Sequence, residues 1–260
     1  MPRFAANISL LFTEYPLLDR PSAAADAGFG AVEMQFPYDT PAADLARATE
    51  RAGIGFALFN LPVGDLLSGG PGLAAIAGRE GQFRAAVAEA KLYVQALKPG
   101  AVNVLAGWPP VEIEYDRADC LGALAGNLRY AAGAMAPLGA RVVTEPINTV
   151  DRPRSLISTS RAALDVLDQA GHDNLGLQYD VYHMTLMEGG VPEALPRLMP
   201  RIGHIQFADV PGRHEPGTGD IDFTAVFAAI DAAGYAGWVG AEYAPSGKTV
   251  DTLGWLRAFR

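Results

Sequence analysis

The chain contains a single cysteine, Cys120, among 260 residues. One cysteine cannot form an internal disulfide bond, and this scarcity suits a reducing compartment. Half of the residues are hydrophobic, so a sizeable core can form without covalent cross-links. We therefore expect a globular protein of the cytoplasm, in which Cys120 is a small buried or half-buried residue of a helix.

Clustered positive charge and long apolar runs are also missing. The formal net charge is −9 and the acidic residues are scattered, whereas a nucleic-acid surface needs Lys and Arg grouped together. No apolar run approaches the roughly 20 residues of a membrane span. The N-terminal FAANISLLF is interrupted by Asn7 and Ser9 and precedes no small-residue cleavage site. We expect neither a nucleic-acid nor a membrane partner.

Eight short apolar runs have the length and composition of strands. They are residues 4–9, 31–36, 55–60, 101–106, 141–146, 175–180, 202–207 and 238–243. Segments of helical character lie at 21–27, 41–53, 80–97, 116–138, 158–170, 222–234 and 251–259. This alternation predicts an α/β protein with a parallel sheet. Eight units in about 250 residues match a (β/α)₈ TIM barrel, a single domain over 1–260.

The alternative fold, an open sheet that binds dinucleotides, is excluded because its glycine motif is missing. Such a sheet carries a G-x-G-x-x-G turn after its first strand, but here the turn is LLFTEYPL. The glycine-rich SGGPGLAAIAG at 68–78 has no Walker lysine and no strand directly before it. We expect it to form a mobile loop over the barrel mouth.

Four oxygen-bearing side chains, Glu145, Asp180, Gln206 and Glu242, end the last four strand candidates. In a TIM barrel these ends converge on one mouth, where three carboxylates would repel one another unless a cation lay between them. Oxygen ligands favour Mg²⁺ or Mn²⁺ over zinc. The pattern predicts a divalent-metal site, with His204, one step deeper on the strand of Gln206, in the core or behind the ligands.

Three further residues are candidates for binding a substrate. His183 lies three residues after the sixth strand's aspartate and can turn back toward the mouth, or serve only as a structural hydrogen-bonder. Arg213, in the long loop after the seventh strand, could grip a substrate carboxylate or brace its loop through Glu215 or Asp209. Asp151 could fix the far end of a substrate or simply form a turn.

At these residues the sequence resembles the hydroxypyruvate isomerases of the xylose isomerase-like TIM-barrel superfamily. The similar motifs are FNLPVGD (59–65), GREGQFR (78–84), EPIN (145–148), QYDVYHM (178–184), GHIQFADVPGRHEPGTGD (203–220) and GWVGAEYAPSG (237–247). The resemblance implies metal ligands at Glu145, Asp180, Gln206 and Glu242, with Glu145 and Glu242 as the catalytic acid–base pair. Ala244 departs from the lysine common in the family, which leaves the contact for the substrate carboxylate open.

The implied reaction is a metal-dependent interconversion of hydroxypyruvate and 2-hydroxy-3-oxopropanoate (tartronate semialdehyde), by proton transfer through an enediolate. A 2-oxo-tetronate isomerase and a ketose 3-epimerase are alternatives, because the same site would serve a longer substrate. An endonuclease IV-like nuclease is another alternative, but that group uses several zinc ions and many histidines. This chain has only four histidines and a negative net charge, and both disfavour the alternative. A barrel acting only as a binding module is disfavoured by the complete ligand set. The oligomeric state stays open, a homo-oligomer included.

Overall fold

The computed structural model describes residues 1–259. Within them, eight parallel strands close into a barrel in chain order, and the last strand pairs with the first. The strands are β1 Arg3–Asn7, β2 Ala31–Met34, β3 Gly55–Asn60, β4 Ala101–Asn103, β5 Arg141–Thr144, β6 Leu175–Asp180, β7 Ile202–Phe207 and β8 Trp238–Ala241. The predicted (β/α)₈ barrel is confirmed.

Helices pack around this barrel and bury their apolar faces against it. They are α1 Arg20–Ala27, α2 Ala42–Ala52, α3 Glu80–Leu97, α4 Arg117–Met135, α5 Ser160–Ala170, α6 Val181–Met187, α7 Val191–Leu198, α8 Phe223–Ala232 and α9 Gly254–Ala258. Among residues 1–259, none of the helices combines the length and hydropathy needed to cross a membrane.

Sequence reasoning missed α6 and α7, between β6 and β7. Helix α6 begins directly after β6, and Asp180 is both the last strand residue and the helix cap, accepting from the Tyr182 backbone N–H at 2.8 Å. Helix α7 contains Pro192 near its start and Pro196 inside it. Because no linker separates β6 from α6 and prolines interrupt α7, the usual helix signals are weak.

The glycine-rich segment 68–78 covers the mouth less than expected. Its residues 73–76 are buried in the core, and Arg79 closes the base of the segment through an ion pair with Asp65 at 2.9 Å. Only Leu67, just before the segment, reaches the cavity at the mouth, where 66% of its surface is exposed. The segment is therefore anchored to the barrel, and the residue before it supplies one aliphatic side chain to the rim.

The loop after β7 is organised by one buried carboxylate. Asp209 is fully buried and accepts hydrogen bonds from the backbone N–H groups of Val210, Gly217, Gly219 and Ile221, at 2.8–3.1 Å. A Cβ atom on Gly219 would overlap the Val210 carbonyl oxygen, so only glycine fits there. These contacts fold the loop back over the mouth and place Arg213 inside it.

We expect Asp209→Asn to lower the free energy of unfolding by about 1–3 kcal/mol, because the new NH₂ group would face backbone donors that then lose their acceptor. Urea unfolding measures this change. Asp220→Asn is the matched control, since Asp220 lies exposed in the same loop. Equal unfolding midpoints for the two variants would contradict the assigned role of Asp209.

Candidate active site

A cavity of about 780 Å³ opens at the C-terminal ends of the strands. All three residues predicted to bind substrate line it, together with two of the predicted metal ligands: Asp151, His183, Arg213, Glu145 and Glu242. A second cavity, of about 740 Å³, lies beside α1 and α9, and its ionisable residues are all exposed. Buried charge therefore distinguishes the first cavity as the candidate site.

Glu145 and His183 line this cavity and come together with Asp180, and all three residues are buried. His183 Nε2 lies 3.8 Å from Glu145 Oε1 and 3.6 Å from Asp180 Oδ2, beyond hydrogen-bond distance. Among residues 1–259, neither of these two carboxylate oxygens has a hydrogen-bond partner. Two buried oxygens that converge without a donor suit a hard divalent cation, so these residues fit the predicted metal.

The hydrogen bonds around His183 determine which ring nitrogen carries the proton of the neutral side chain. Asn148 accepts from the Asp151 backbone N–H through Oδ1 (2.7 Å) and donates to Asp151 Oδ2 through Nδ2 (3.0 Å). This orientation points Asn148 Nδ2 at His183 Nδ1, 2.6 Å away. His183 Nδ1 must therefore accept, and the neutral ring carries its proton on Nε2. His183 thus offers the cavity a donor, as expected of a substrate-binding residue, rather than a lone pair for a metal.

Asp151 braces the site from the side. Its Oδ2 accepts from Asn148 and from the Tyr182 hydroxyl, the latter at 3.0 Å. Its carboxylate lines the cavity while bonded to both neighbours. The geometry thus gives Asp151 a positioning role for Asn148 and Tyr182, and its predicted contact with a substrate stays a prediction.

Arg213 enters the site from the loop after β7 and lies between two acids. Its Nη2 donates to Glu242 Oε2 at 2.6 Å and lies 3.7 Å from Asp180 Oδ2. Its guanidinium carbon is 5.2 Å from the centre of the Tyr182 ring. The alternative loop-bracing pairs do not form, because Asp209 binds backbone groups and Glu215 accepts from Ser246.

Gln206, the remaining predicted ligand, is engaged below the mouth. Its Nε2 donates to Glu33 Oε1 at 2.7 Å, and its Oε1 accepts from Gln178 Nε2. His204 lies behind it as expected, with Nε2 2.7 Å from Glu33 Oε2. Glu33 reaches the centre of the barrel because β8 has a glycine opposite, Gly240, where a Cβ atom would overlap this carboxylate.

Sequence reasoning missed the polar residues on the first four strands. Asn7, Asn60 and Asn103 end β1, β3 and β4, and Glu33 is next to last in β2. Asn103 Nδ2, for example, donates to Glu145 Oε2 at 3.1 Å. Only Asn60 ends its predicted strand, 55–60. The predicted strands 4–9, 31–36 and 101–106 extend past the observed ends, so the strand-end rule could not select the other three residues.

The two glutamates hold their protons more tightly than exposed glutamates do. Burial, with the negative charges of Glu242 and Asp180, raises the pKa of Glu145 well above its ordinary value. Burial also raises the pKa of Glu242 to about 7, against the opposing effect of Arg213. For His183, burial lowers the pKa to about 4. The site therefore combines carboxylates that can carry a proton near neutral pH with a neutral histidine.

Comparison with known proteins agrees with this architecture. The family described as xylose isomerase-like TIM barrel matches residues 21–259. The chain belongs to the xylose isomerase-like TIM-barrel family. The similarity drawn from the sequence motifs is thereby confirmed.

Several related proteins align with this chain over its full length. The 2-oxo-tetronate isomerase of Cupriavidus necator is 42% identical over 100% of this chain and 99% of its own. The hydroxypyruvate isomerase of Escherichia coli is 40% identical over 100% of both chains. A solved structure from Brucella melitensis, described as an AP endonuclease of family 2, is 39% identical with a TM-score of 0.95 over 100% of both chains. Because the first two relatives are both named isomerases, the prediction that this chain is an isomerase is confirmed.

We expect Mn²⁺ to stabilise the metal-stripped protein more strongly at high pH than at low pH. Because the folded-state pKa values of Glu145 and Glu242 are raised, their protonation stabilises the metal-free fold at low pH. This contribution is lost as the pH rises through about 7. A cation bound to the ionised carboxylates compensates that loss, whereas at low pH it must first displace protons.

The measurement is the change in Tm on adding Mn²⁺ at about pH 5 and about pH 8, with a rise of several degrees expected only at the higher pH. Glu145→Gln should abolish the rise, whereas Glu193→Gln, at an exposed residue of α7, should keep it. A rise that is equal at both pH values, or that survives in Glu145→Gln, would contradict the proposed metal site.

Proposed function

We propose that this protein is a divalent-metal-dependent isomerase of short 2-oxo acids that interconverts hydroxypyruvate and 2-hydroxy-3-oxopropanoate. The observation that carries the proposal is the pair of buried glutamates with raised pKa, Glu145 and Glu242, facing one cavity beside the unpartnered oxygen of Asp180. The full-length relatives named hydroxypyruvate isomerase and 2-oxo-tetronate isomerase support it. The single cysteine suits the cytoplasm as the compartment.

The reaction moves one carbon-bound proton between neighbouring carbons, while a hydroxyl proton moves between their oxygens. In our proposal one of Glu145 and Glu242 removes the proton from C3 of hydroxypyruvate, and the other delivers a proton to C2. Both glutamates would also bind the metal, which lowers their basicity, so proton transfer relies on their close positioning against the substrate. The two glutamates directly follow β5 and β8, so they can address opposite faces of a planar enediolate.

Neighbouring residues hold this pair in place. Arg213 fixes one oxygen of Glu242, while Asn7 and Gln35 donate to the other at 3.0 and 3.1 Å. His183 Nε2–H is free to donate to a substrate oxygen, since it bonds neither carboxylate. Held by Glu145, Asp180, Gln206 and Glu242, Mg²⁺ or Mn²⁺ would supply Lewis-acid stabilisation of negative charge on the substrate oxygens.

A 2-oxo-tetronate is the competing substrate. The relative with 42% identity carries that name, and a cavity of about 780 Å³ leaves room for a fourth carbon. A ketose 3-epimerase is a weaker candidate, because the solved L-ribulose 3-epimerase, 24% identical with a TM-score of 0.77, is similar in fold alone. Turnover of hydroxypyruvate, a 2-oxo-tetronate and a neutral ketose by one preparation separates the three.

We expect Glu145→Gln and Glu242→Gln each to lower turnover by at least about a hundred-fold, because each removes a group that transfers a proton. The assay follows hydroxypyruvate by NMR in D₂O with added Mg²⁺ or Mn²⁺, where deuterium incorporation reports the proton transfer itself. Glu193→Gln is the exposed control. Near-normal turnover in Glu242→Gln would remove this residue from the mechanism, and no turnover by the unmodified protein would reject the function.

A further inference from the structure

Two guanidinium groups line the cavity, and they differ in what neutralises them. Arg213 is paired with Glu242 at 2.6 Å and lies near Asp180. Arg152 also lines the cavity, but no carboxylate among residues 1–259 forms an ion pair with it. The adjacent Asp151 forms no ion pair with Arg152, and its carboxylate is oriented toward Asn148 and Tyr182. Arg152 thus carries a positive charge at the rim that has no ion-pair partner in the described part of the chain.

The structure holds the Arg152 side chain in one place. Its guanidinium carbon lies 5.1 Å from the centre of the Trp108 ring, and Nη1 donates to the Asp151 main-chain oxygen at 3.4 Å. Its backbone N–H donates to the Asn148 carbonyl at 3.2 Å. A guanidinium over an indole face keeps the donors along its edge free, and the stack reduces the entropy lost on binding an anion.

Arg152 is also close to the reacting end of the cavity. It belongs to the same turn, 148–152, that orients His183 through Asn148. Arg152 therefore shares both the cavity and the supporting turn with the imidazole of His183.

The charges in the cavity leave few places for the carboxylate of a substrate. Glu145, Asp180 and Glu242 surround the reacting end, where the proposed cation would take up their free oxygens, and the positive charge of Arg213 is already paired with Glu242. Opposite charges across an interface guide orientation as well as affinity. A short oxo-acid is therefore best accommodated with its carboxylate pointing outward, toward Arg152.

We propose that Arg152, stacked on Trp108, forms an anion subsite that receives the carboxylate of the substrate and makes the enzyme selective for acids over neutral sugars. The inference rests on the proposed function, because it assigns the non-reacting end of the same substrate. The ligand class is the carboxylate of a three- or four-carbon hydroxy- or oxo-acid, bound through the edge of the guanidinium.

Arg152→Gln tests this subsite, with Arg154→Gln as the matched control. Arg154 is equally exposed, two residues further on, and does not line the cavity. With Mg²⁺-loaded protein and hydroxypyruvate, we expect Arg152→Gln to raise KM by about ten-fold or more and to keep kcat within about two-fold, because a contact made equally in ground and transition states is lost. An unchanged KM, or a loss confined to kcat, would overturn the proposal.

Binding of an unreactive acid provides a readout independent of turnover. Calorimetry with glycerate should give a Kd about ten-fold weaker in Arg152→Gln than in the unmodified protein and in Arg154→Gln, whereas neutral glycerol should bind none of them measurably. Glycerate binding that is absent from the unmodified protein, or equal in all three, would refute the subsite. Glycerate binding that depends on Arg152 in a protein that isomerises no oxo-acid would keep the subsite and reject the proposed function.

Discussion

Negative charge buried inside a closed barrel is the constraint on which the rest of this site depends. Each carboxylate must be compensated by donors or a cation, since an isolated buried charge is strongly unfavourable. Glu33 is bonded to Asn7, His204 and Gln206, and Glu242 is paired with Arg213. The compensation stops at Glu145 Oε1 and Asp180 Oδ2. Within residues 1–259, these two oxygens at the mouth have no hydrogen-bond donor, and a bound cation would compensate their negative charge.

The barrel and its loops supply opposite charges to the site. The strands carry the acids and the amides that bond to them, so the acidic part of the site is fixed by the sheet itself. The positive groups arrive on loops: Arg213 after β7, held by the Asp209 turn, and Arg152 after β5, stacked on Trp108. Because loops tolerate sequence change better than barrel strands, this division allows one acidic centre to be combined with different substrate contacts.

The ends of the predicted strands located part of the candidate site as well as the fold. The strand-end rule selected Glu145, Asp180 and Glu242 because parallel strands end at the same edge, and the structure brings these acids to one mouth. Their role as ligands stays a prediction. The strand-end rule overlooked Glu33, Asn7 and Asn103 because the first, second and fourth strands were predicted to extend two or three residues too far. Helices α6 and α7 were missed for a different reason, since prolines and the absence of a linker remove the local signals.

Local pattern by itself determined the fold class, the order of the strands along the chain and the acidic character of the mouth, because apolar periodicity is a property of neighbouring residues. Only the tertiary structure decided the partners. His204 meets Glu33 across 171 positions of chain, Arg213 pairs with Glu242 rather than with a loop acid, and Arg152 lies on Trp108. These contacts depend on how the barrel closes and how its loops fold back, and side-chain geometry at that range is not encoded in any local pattern.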